Sequence, residues 1–369
     1  MKQIISLCLL TLLALPLAAQ PRGEKPKRHN PLREKRSEFF RTDEARRIGD
    51  QVLMWQRVTG GWPKNVDMAS PMTEAQRQQV LADKQRRDDS TTDNNATTMQ
   101  MSFLARLFQA TGDERYAEGF HRGLAYLLSG QYDNGGWPQF WPGPSGYQVH
   151  ITFNDDAMVN TMRMLRAVYE EQKPYQGALC DKKLENKAKK AFKRGIDCIL
   201  KTQIVVNGRP TVWCQQHDRE TFLPAKARAY ELPSYCTQES AALVELLMSL
   251  PKPNKRVKQA IHGAMAWLDS HKLTGYRYER IHMGDHKFRA SLTPDPQAKS
   301  PIWARFYDLD EERPFVCDRD GVPKRSLDEI GEERRNGYAW YNTRPAELYP
   351  LYEKWADKYD PEHKLTLHL

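Results

Sequence analysis

The sequence predicts an all-α fold, an (α/α)3 helical toroid of repeated helix pairs whose long loops gather at one functional end. Three observations carry this: apolar residues recur at helical spacing in segment after segment, convincing period-2 strands are scarce, and a Gly-Trp-Pro loop returns along the chain.

Taken in order, the first candidate helix covers Asp43 to Arg57 and the second Asn95 to Gln109. Phe120, Leu124, Leu127 and Leu128 mark the next, and Met158, Met162, Leu165 and Tyr169 another. Ala188, Ala191, Phe192, Ile199 and Leu200 belong to a longer one; Ser240 to Met248, then Ile261, Ala264, Met265 and Leu268, complete the series. Each puts its apolar side chains on one stripe that needs a neighbour to bury it. Between them Gly60-Gly61-Trp62-Pro63-Lys64-Asn65 returns as Gly135-Gly136-Trp137-Pro138-Gln139-Phe140, and Gly208-Arg209-Pro210 with Trp213 follows at a similar interval. A period of roughly seventy residues holds a helix pair and long loops, and three pairs closing on themselves give the toroid. Gly-Gly permits a tight turn and Pro fixes it, while Trp either plugs the space between helices or offers its face to a sugar ring. Trp62, Trp137 and Lys64 are therefore candidate substrate contacts.

Outside the repeats, Lys2, the apolar run Ile4 to Leu15 and the small residues Ala18 and Ala19 predict a signal peptide over 1–20, too short to span a bilayer. Residues 21–37, dominated by Arg, Lys and Pro, read as a basic disordered leader, which leaves 38–369 as a single domain. The mature protein is then secreted or periplasmic, with no membrane span and with a monomer as the default state. Past the signal peptide stand Cys180, Cys198, Cys214, Cys236 and Cys317, an odd, widely spaced set without a C-x-x-C pair, which excludes a dense disulfide scaffold and a zinc ribbon. The formal net charge of +9 suits nucleic acid, an anionic surface or an acidic polymer. No nucleic-acid module, nucleophile elbow, phosphate loop or H-E-x-x-H motif occurs, so an acidic polysaccharide is the expected partner.

The charged constellations refine this. Thr91-Thr92-Asp93-Asn94-Asn95-Ala96-Thr97-Thr98 and Asn154-Asp155-Asp156-Ala157 each precede an apolar-periodic helix. Such residues are either N-caps or, if several helix starts converge, hard oxygen ligands for calcium. Arg228 in Ala-Arg-Ala-Tyr-Glu, Arg305 in Trp-Ala-Arg-Phe-Tyr and Arg319 in Cys-Asp-Arg-Asp-Gly follow. Arginine's planar fork matches carboxylates, so a row of them suits a polyuronic acid, although any one alone reads equally as a surface ion pair.

Gly-Gly-Trp-Pro-Lys-Asn, Thr-Thr-Asp-Asn-Asn-Ala-Thr, Asn-Asp-Asp-Ala-Met, Ala-Arg-Ala-Tyr-Glu and Cys-Asp-Arg-Asp-Gly, in this order over about Asp43 to Pro350, resemble the polysaccharide lyase family 10 pectate lyases. The resemblance implies the (α/α)3 toroid, a calcium requirement and anti β-elimination on α-1,4-polygalacturonate. It implies Asp93 and Asp155 as carboxylates around the catalytic calcium, Arg228 and Arg305 as binders of substrate carboxylates, and Arg319 as the Brønsted base. Asn94 and Asp156 join the candidate ligands by proximity. Elimination removes the C5 proton beside the C6 carboxylate, where calcium and arginine stabilise the developing charge. An arginine base needs a desolvated place among other cations, because its pKa otherwise lies above ~12, and an alkaline optimum should follow. Two other readings remain: a glycoside hydrolase on a helical toroid using two Asp residues, and a non-catalytic binder of acidic polysaccharide.

Overall fold

The computed structural model describes residues 30–284 and 288–369. The expected signal peptide and the leader up to residue 29 lie outside them. Residues 30–37, assigned from composition to the leader, are held: Asn30 accepts from the Leu32 N–H at 3.0 Å and Leu32 joins the core. One leucine inside a basic run carried no periodic signal.

Ten α-helices occur among the described residues: α1 Asp43–Trp55, α2 Glu74–Ala82, α3 Thr98–Thr111, α4 Glu114–Ser129, α5 Ala157–Tyr169, α6 Lys182–Thr202, α7 Thr237–Met248, α8 Lys255–Ser270, α9 Glu332–Gly337 and α10 Leu348–Tyr359. Their starts are written in side chains that satisfy free first-turn amides. Thr42 accepts from Ala45 at 3.2 Å, Asp113 from Arg115 at 3.0 Å, Asp181 from Leu184 at 2.7 Å and Asn254 from Val257 at 3.0 Å. The helices pack as pairs α3/α4, α5/α6 and α7/α8; α3, α5 and α7 touch in succession, as do α4, α6 and α8, with α1 against α3 and α10 against α7. Two glycines permit the close crossings. A Cβ on Gly123 would stand 2.6 Å from Met101, and one on Gly195 2.2 Å from Met162.

The all-α expectation is corrected by strands. Ile151–Thr152 pairs with Gln216–His217, Val205–Val206 with Arg209–Pro210, and Trp303–Ala304 with Tyr341–Asn342. A four-stranded sheet runs Pro323–Lys324, Pro314–Cys317, Phe306–Tyr307, Tyr235–Cys236, and a longer hairpin joins Tyr276–His282 to Phe288–Pro294. Among the described residues the molecule is therefore a mixed structure of helix pairs and five small sheets, not an all-α toroid. The physical reason is that the interhelical loops are buried, and buried backbone must find partners. Two-residue strands are too short to alternate visibly, and in the long hairpin Ala290 alone is fully buried among exposed and half-buried residues, so no period-2 pattern marks it.

The repeat survives in finer form. Gln56 donates to the carbonyls of Gly60 and Gly119, Gln131 to those of Gly135 and Ala191, and Gln203 to those of Thr211 and Ala260. Each glutamine clamps its own loop to the second helix of the following pair. The indole N–H groups of Trp62, Trp137 and Trp213 donate to Val52, Leu127 and Ile199, carbonyls in the preceding helices. The third repeat is thus aligned on Gln203 and Trp213, and Gly208-Arg209-Pro210 belongs to an added hairpin rather than replacing Gly-Gly-Trp-Pro.

His217, fully buried, accepts from the Cys214 N–H through Nε2 at 3.0 Å and donates from Nδ1 to the Phe222 carbonyl at 2.8 Å. Both nitrogens are used in the neutral form, and burial pushes its pKa down to about 4. The folded state therefore binds fewer protons than the unfolded one between that value and about 6.5, and stability is lost as pH falls through this window. His217 contributes about 2 kcal/mol of stability that is lost between pH 7 and pH 5. The change measured in denaturant titrations over that interval should shift by about this much in His217→Gln, Asp155 acting in the opposite sense in both proteins. Equal pH sensitivity in the variant would remove the assignment.

Candidate active site

Two acidic turns touch each other: Asp93–Asn95, before α3, and Asn154–Asp156, before α5. Neither Asp93 nor Asp155 is a cap, because the N-cap positions of α3 and α5 are Thr97 and Asp156 and neither makes a side-chain cap hydrogen bond. Left-handed backbone at Asn94 (φ 54°), Asp155 (φ 50°) and Asp156 (φ 59°) breaks the helical path before each helix proper begins. Thr97, a β-branched residue at φ 63°, is held there by donating to the Thr91 carbonyl at 2.8 Å and accepting from the Trp62 N–H at 3.1 Å. The strain fixes where the acidic turn sits.

Asp93 is buried. Its Oδ2 accepts from Gln139 at 2.8 Å and from the Lys64 ammonium, while its Oδ1 has no partner. Asp155 lies beside it: burial, then the charge of Asp93, push the Asp155 pKa up to about 6 against the pull of Arg305, and Glu239 adds to the rise. Lys64 offsets Asp93, and the buried Arg305 offsets Glu239. Among the described residues Asp155 makes no ion pair of its own; its Oδ2 receives the Asn154 amide at 3.2 Å, and the pull of Arg305 is shared with Glu239.

The other expected ligands turn elsewhere. Both oxygens of Asp156 are taken by Arg344 at 2.9 and 2.8 Å, and exposed Asn94 donates to Asn65 at 3.3 Å. Among the described residues no group of three or more His, Cys, Asp or Glu side chains is placed to hold a metal ion. What the site offers a hard cation is two facing carboxylates and one orphaned buried oxygen.

The arginines meet on a pair of tyrosines. The Tyr230 and Tyr338 rings lie 5.3 Å apart, edge to face. Arg228, Arg319 and Arg334 stand 4.9, 5.9 and 4.4 Å from the Tyr230 ring, and Arg305 stands 4.7 Å from that of Tyr338. Arg305 also donates to Asn154 at 3.0 Å, which ties this group to the acidic turns. Arg228 is bidentate to Glu231, which also receives the Tyr338 hydroxyl at 2.7 Å. Burial opposes ionisation of Glu231, but Arg228 outweighs it and holds the carboxyl below its ordinary range. Arg319 is the outermost: its side chain is 64% exposed, and Glu333 bonds it at 3.0 and 3.1 Å, raising its pKa further. Burial raises the Tyr147 pKa, Arg228 pulls it down, and Glu231, Tyr230 and Asp93 add to the rise.

Asp93, Asp155 and Lys64 are thus brought together, with Arg305 adjoining; Arg228 and Arg319 share the tyrosine pair. Trp62 and Trp137 are not at the site. They are 0% and 1% exposed, bonded to helix carbonyls, so no sugar can stack on them and they are plugs between helices. Sequence reasoning missed Glu239, Asn154, Tyr338, Arg334, Gln139 and Tyr147. Asn154 and Gln139 stand inside segments already singled out, the Asn-Asp-Asp turn and the second Gly-Gly-Trp-Pro loop, whereas nothing in the spacing pointed to the others. The charged residues of the site do not line the cavities of about 1300 Å³ beside α8 or of about 610 Å³ between α3 and α5.

Residues 56–349 match a family model described as pectic acid lyase. Among solved structures, a mutant of a family 10 polysaccharide lyase from Cellvibrio cellulosa in complex with trigalacturonic acid is 32% identical, with a TM-score of 0.76, over 86% of this chain and 95% of that one. A second structure of the family 10 polysaccharide lyase from Cellvibrio cellulosa aligns with the same identity and TM-score over 87% of this chain. No curated protein matches the sequence significantly.

Proposed function

From the chain's membership of the pectic acid lyase family, family 10 of the polysaccharide lyases, we propose that it cleaves α-1,4-polygalacturonate by calcium-assisted anti β-elimination outside the cytoplasm. The observation that supports the cation is Asp155, a desolvated carboxylate facing Asp93 with no ion pair of its own among the described residues. Asp93 and Asp155 would hold the calcium, the rest of its shell coming from water and substrate. Calcium bound there supplies positive charge to the C6 carboxylate as the C5 proton leaves.

The chain's own residues supply the rest. The guanidiniums gathered on Tyr230 and Tyr338 bind the uronate carboxylates along the polymer, Arg228 being the more accessible and Arg305 the buried anchor. Lys64, when its hold on Asp93 loosens, adds one more cation at the same edge. Arg319 is assigned the C5 proton. Glu333 holds it protonated in this arrangement, so it must part from Glu333 and move among the other guanidiniums, whose charge opposes its own.

The test is a rate assay on polygalacturonate with and without a calcium chelator, followed by the ultraviolet absorbance of the unsaturated product. The expected result is loss of the signal with chelator, recovery with added calcium, and a fall of about a hundredfold or more for Arg319→Lys. Saturated reducing ends without absorbance would indicate the hydrolase, and polymer retained but not shortened the binder. Arg319→Lys at wild-type rate would remove the arginine base.

A further inference from the structure

Cys214 and Cys236 are fully buried and take no part in the chemistry proposed above. The backbone sets them face to face. The Cys236 N–H donates to the Trp213 carbonyl at 2.8 Å, and the Gln215 N–H donates to the Cys236 sulfur at 3.2 Å. Cys236 is thus bonded to the residues on both sides of Cys214. The thiols also act on each other's ionisation: burial alone would raise both, yet Cys236 and nearby backbone donors hold Cys214 below its ordinary value, while Cys236 is pushed up by burial and by Cys214. Cys180 precedes α6, Cys198 lies within it, and Cys317 ends the strand Pro314–Cys317.

We propose that Cys214 and Cys236 are a disulfide-forming pair, closed as the chain folds in an oxidising compartment. The compartment rests on the secreted reading; the pairing rests on the geometry alone. With a small-molecule disulfide such as oxidised glutathione as oxidant, one cysteine thiolate attacks it, releasing one glutathione thiol and leaving a mixed disulfide. The second cysteine thiolate then displaces the remaining glutathione and forms the Sγ–Sγ bond. Two protein thiols are oxidised and one glutathione disulfide is reduced to two thiols. Burial of both sulfurs means closure precedes or accompanies folding, and the finished bond is shielded from reductant.

The bond would brace the site. The Gln215 carbonyl accepts from the amides of Phe153 and Asn154 at 2.8 and 3.0 Å, and Cys236 leads directly into α7, which carries Glu239. A Cys214–Cys236 link therefore ties together the segments bearing Asn154 and Glu239, the two partners of Arg305.

The experiment refolds the full chain in a mixture of reduced and oxidised glutathione, quenches it with iodoacetamide in denaturant, and maps the peptides by mass spectrometry. Expected are a Cys214–Cys236 cross-linked peptide, alkylation at the remaining cysteines, and an intact mass about 2 Da lower than the reduced chain before quenching. The thermal midpoint should stand about 5 °C above that of protein refolded with excess reductant, a gap absent in Cys214→Ala. Complete alkylation of both cysteines, or pairing scattered over the others, overturns the proposal. If Cys214→Ala does not fold, the wild-type map decides alone. Lyase activity is read separately on the same samples, so an inactive protein leaves the cross-link result intact.

Discussion

Asp155→Asn is expected to lower kcat/KM on polygalacturonate by about a thousandfold at low calcium while making the calcium-free protein more stable. Asparagine is the informative replacement because it tolerates the left-handed backbone at this position, where alanine would add strain. The two effects share one cause. Burial and Asp93 raise the Asp155 pKa to about 6, so its ionised form at neutral pH is held against an unfavourable field. The folded state binds more protons than the unfolded one between the ordinary value and that raised one, so stability declines as pH rises through the window. Ionised Asp155 costs about 3 kcal/mol at neutral pH, much of which the amide would recover. A cation relieves the same repulsion, so calcium should raise the thermal midpoint of the native chain and leave that of the variant nearly unchanged. Wild-type rates at all calcium levels, or a variant less stable in chelator than the native chain, would sink the cation reading of this pair.

The same residues explain how far the sequence could be read. Seven of the ten described helices were legible because each buries a stripe that repeats every three or four residues, whereas α2, with Val80 alone buried, the six-residue α9, and α10 were not in the expected series. The small sheets were not, because two-residue strands form wherever a buried loop needs hydrogen-bond partners, and that need leaves no local pattern. Trp62 and Trp137 could be read both ways because the indole that plugs a helix pair is the indole that stacks on a sugar. Only the Val52 and Leu127 carbonyls at the other end of the N–H decide it.

The acidic turns were found, but capping and metal binding use the same side chains in the same place before a helix. What sets Asp93 and Asp155 apart from caps is that they stand ahead of the N-cap positions Thr97 and Asp156, which only the backbone path reveals. Arg228 and Arg319 were visible as motifs, whereas the surface they share is made by Tyr230 and Tyr338, residues far apart in the chain with nothing in their spacing to announce contact. Asp156 illustrates the limit from the other side: its partner Arg344 lies in a distant loop, and adjacency to Asp155 said nothing about which way its carboxylate turns.

Arg305→Met is expected to destabilise the fold by about 3 to 5 kcal/mol and to remove most of the activity, because it strands a buried carboxylate. Arg305 is 4% exposed and Glu239 1% exposed, and the guanidinium also bridges to Asn154 in the acidic turn. Framework and substrate roles are confounded in that single change. The pair Arg305→Met with Glu239→Leu separates them: with both charges gone the apolar side chains should restore most of the stability, since replacing a buried ion pair outright costs far less than halving it. Activity should not follow. The guanidinium at Tyr338 would be lost from the proposed uronate-binding surface and Asn154 would lose its donor, so KM should stay raised with kcat depressed in a well-folded protein. Recovery of both constants along with the thermal midpoint would show that Arg305 serves only to neutralise Glu239, and would leave Arg228, Arg319 and Arg334 as the arginines available to the polymer.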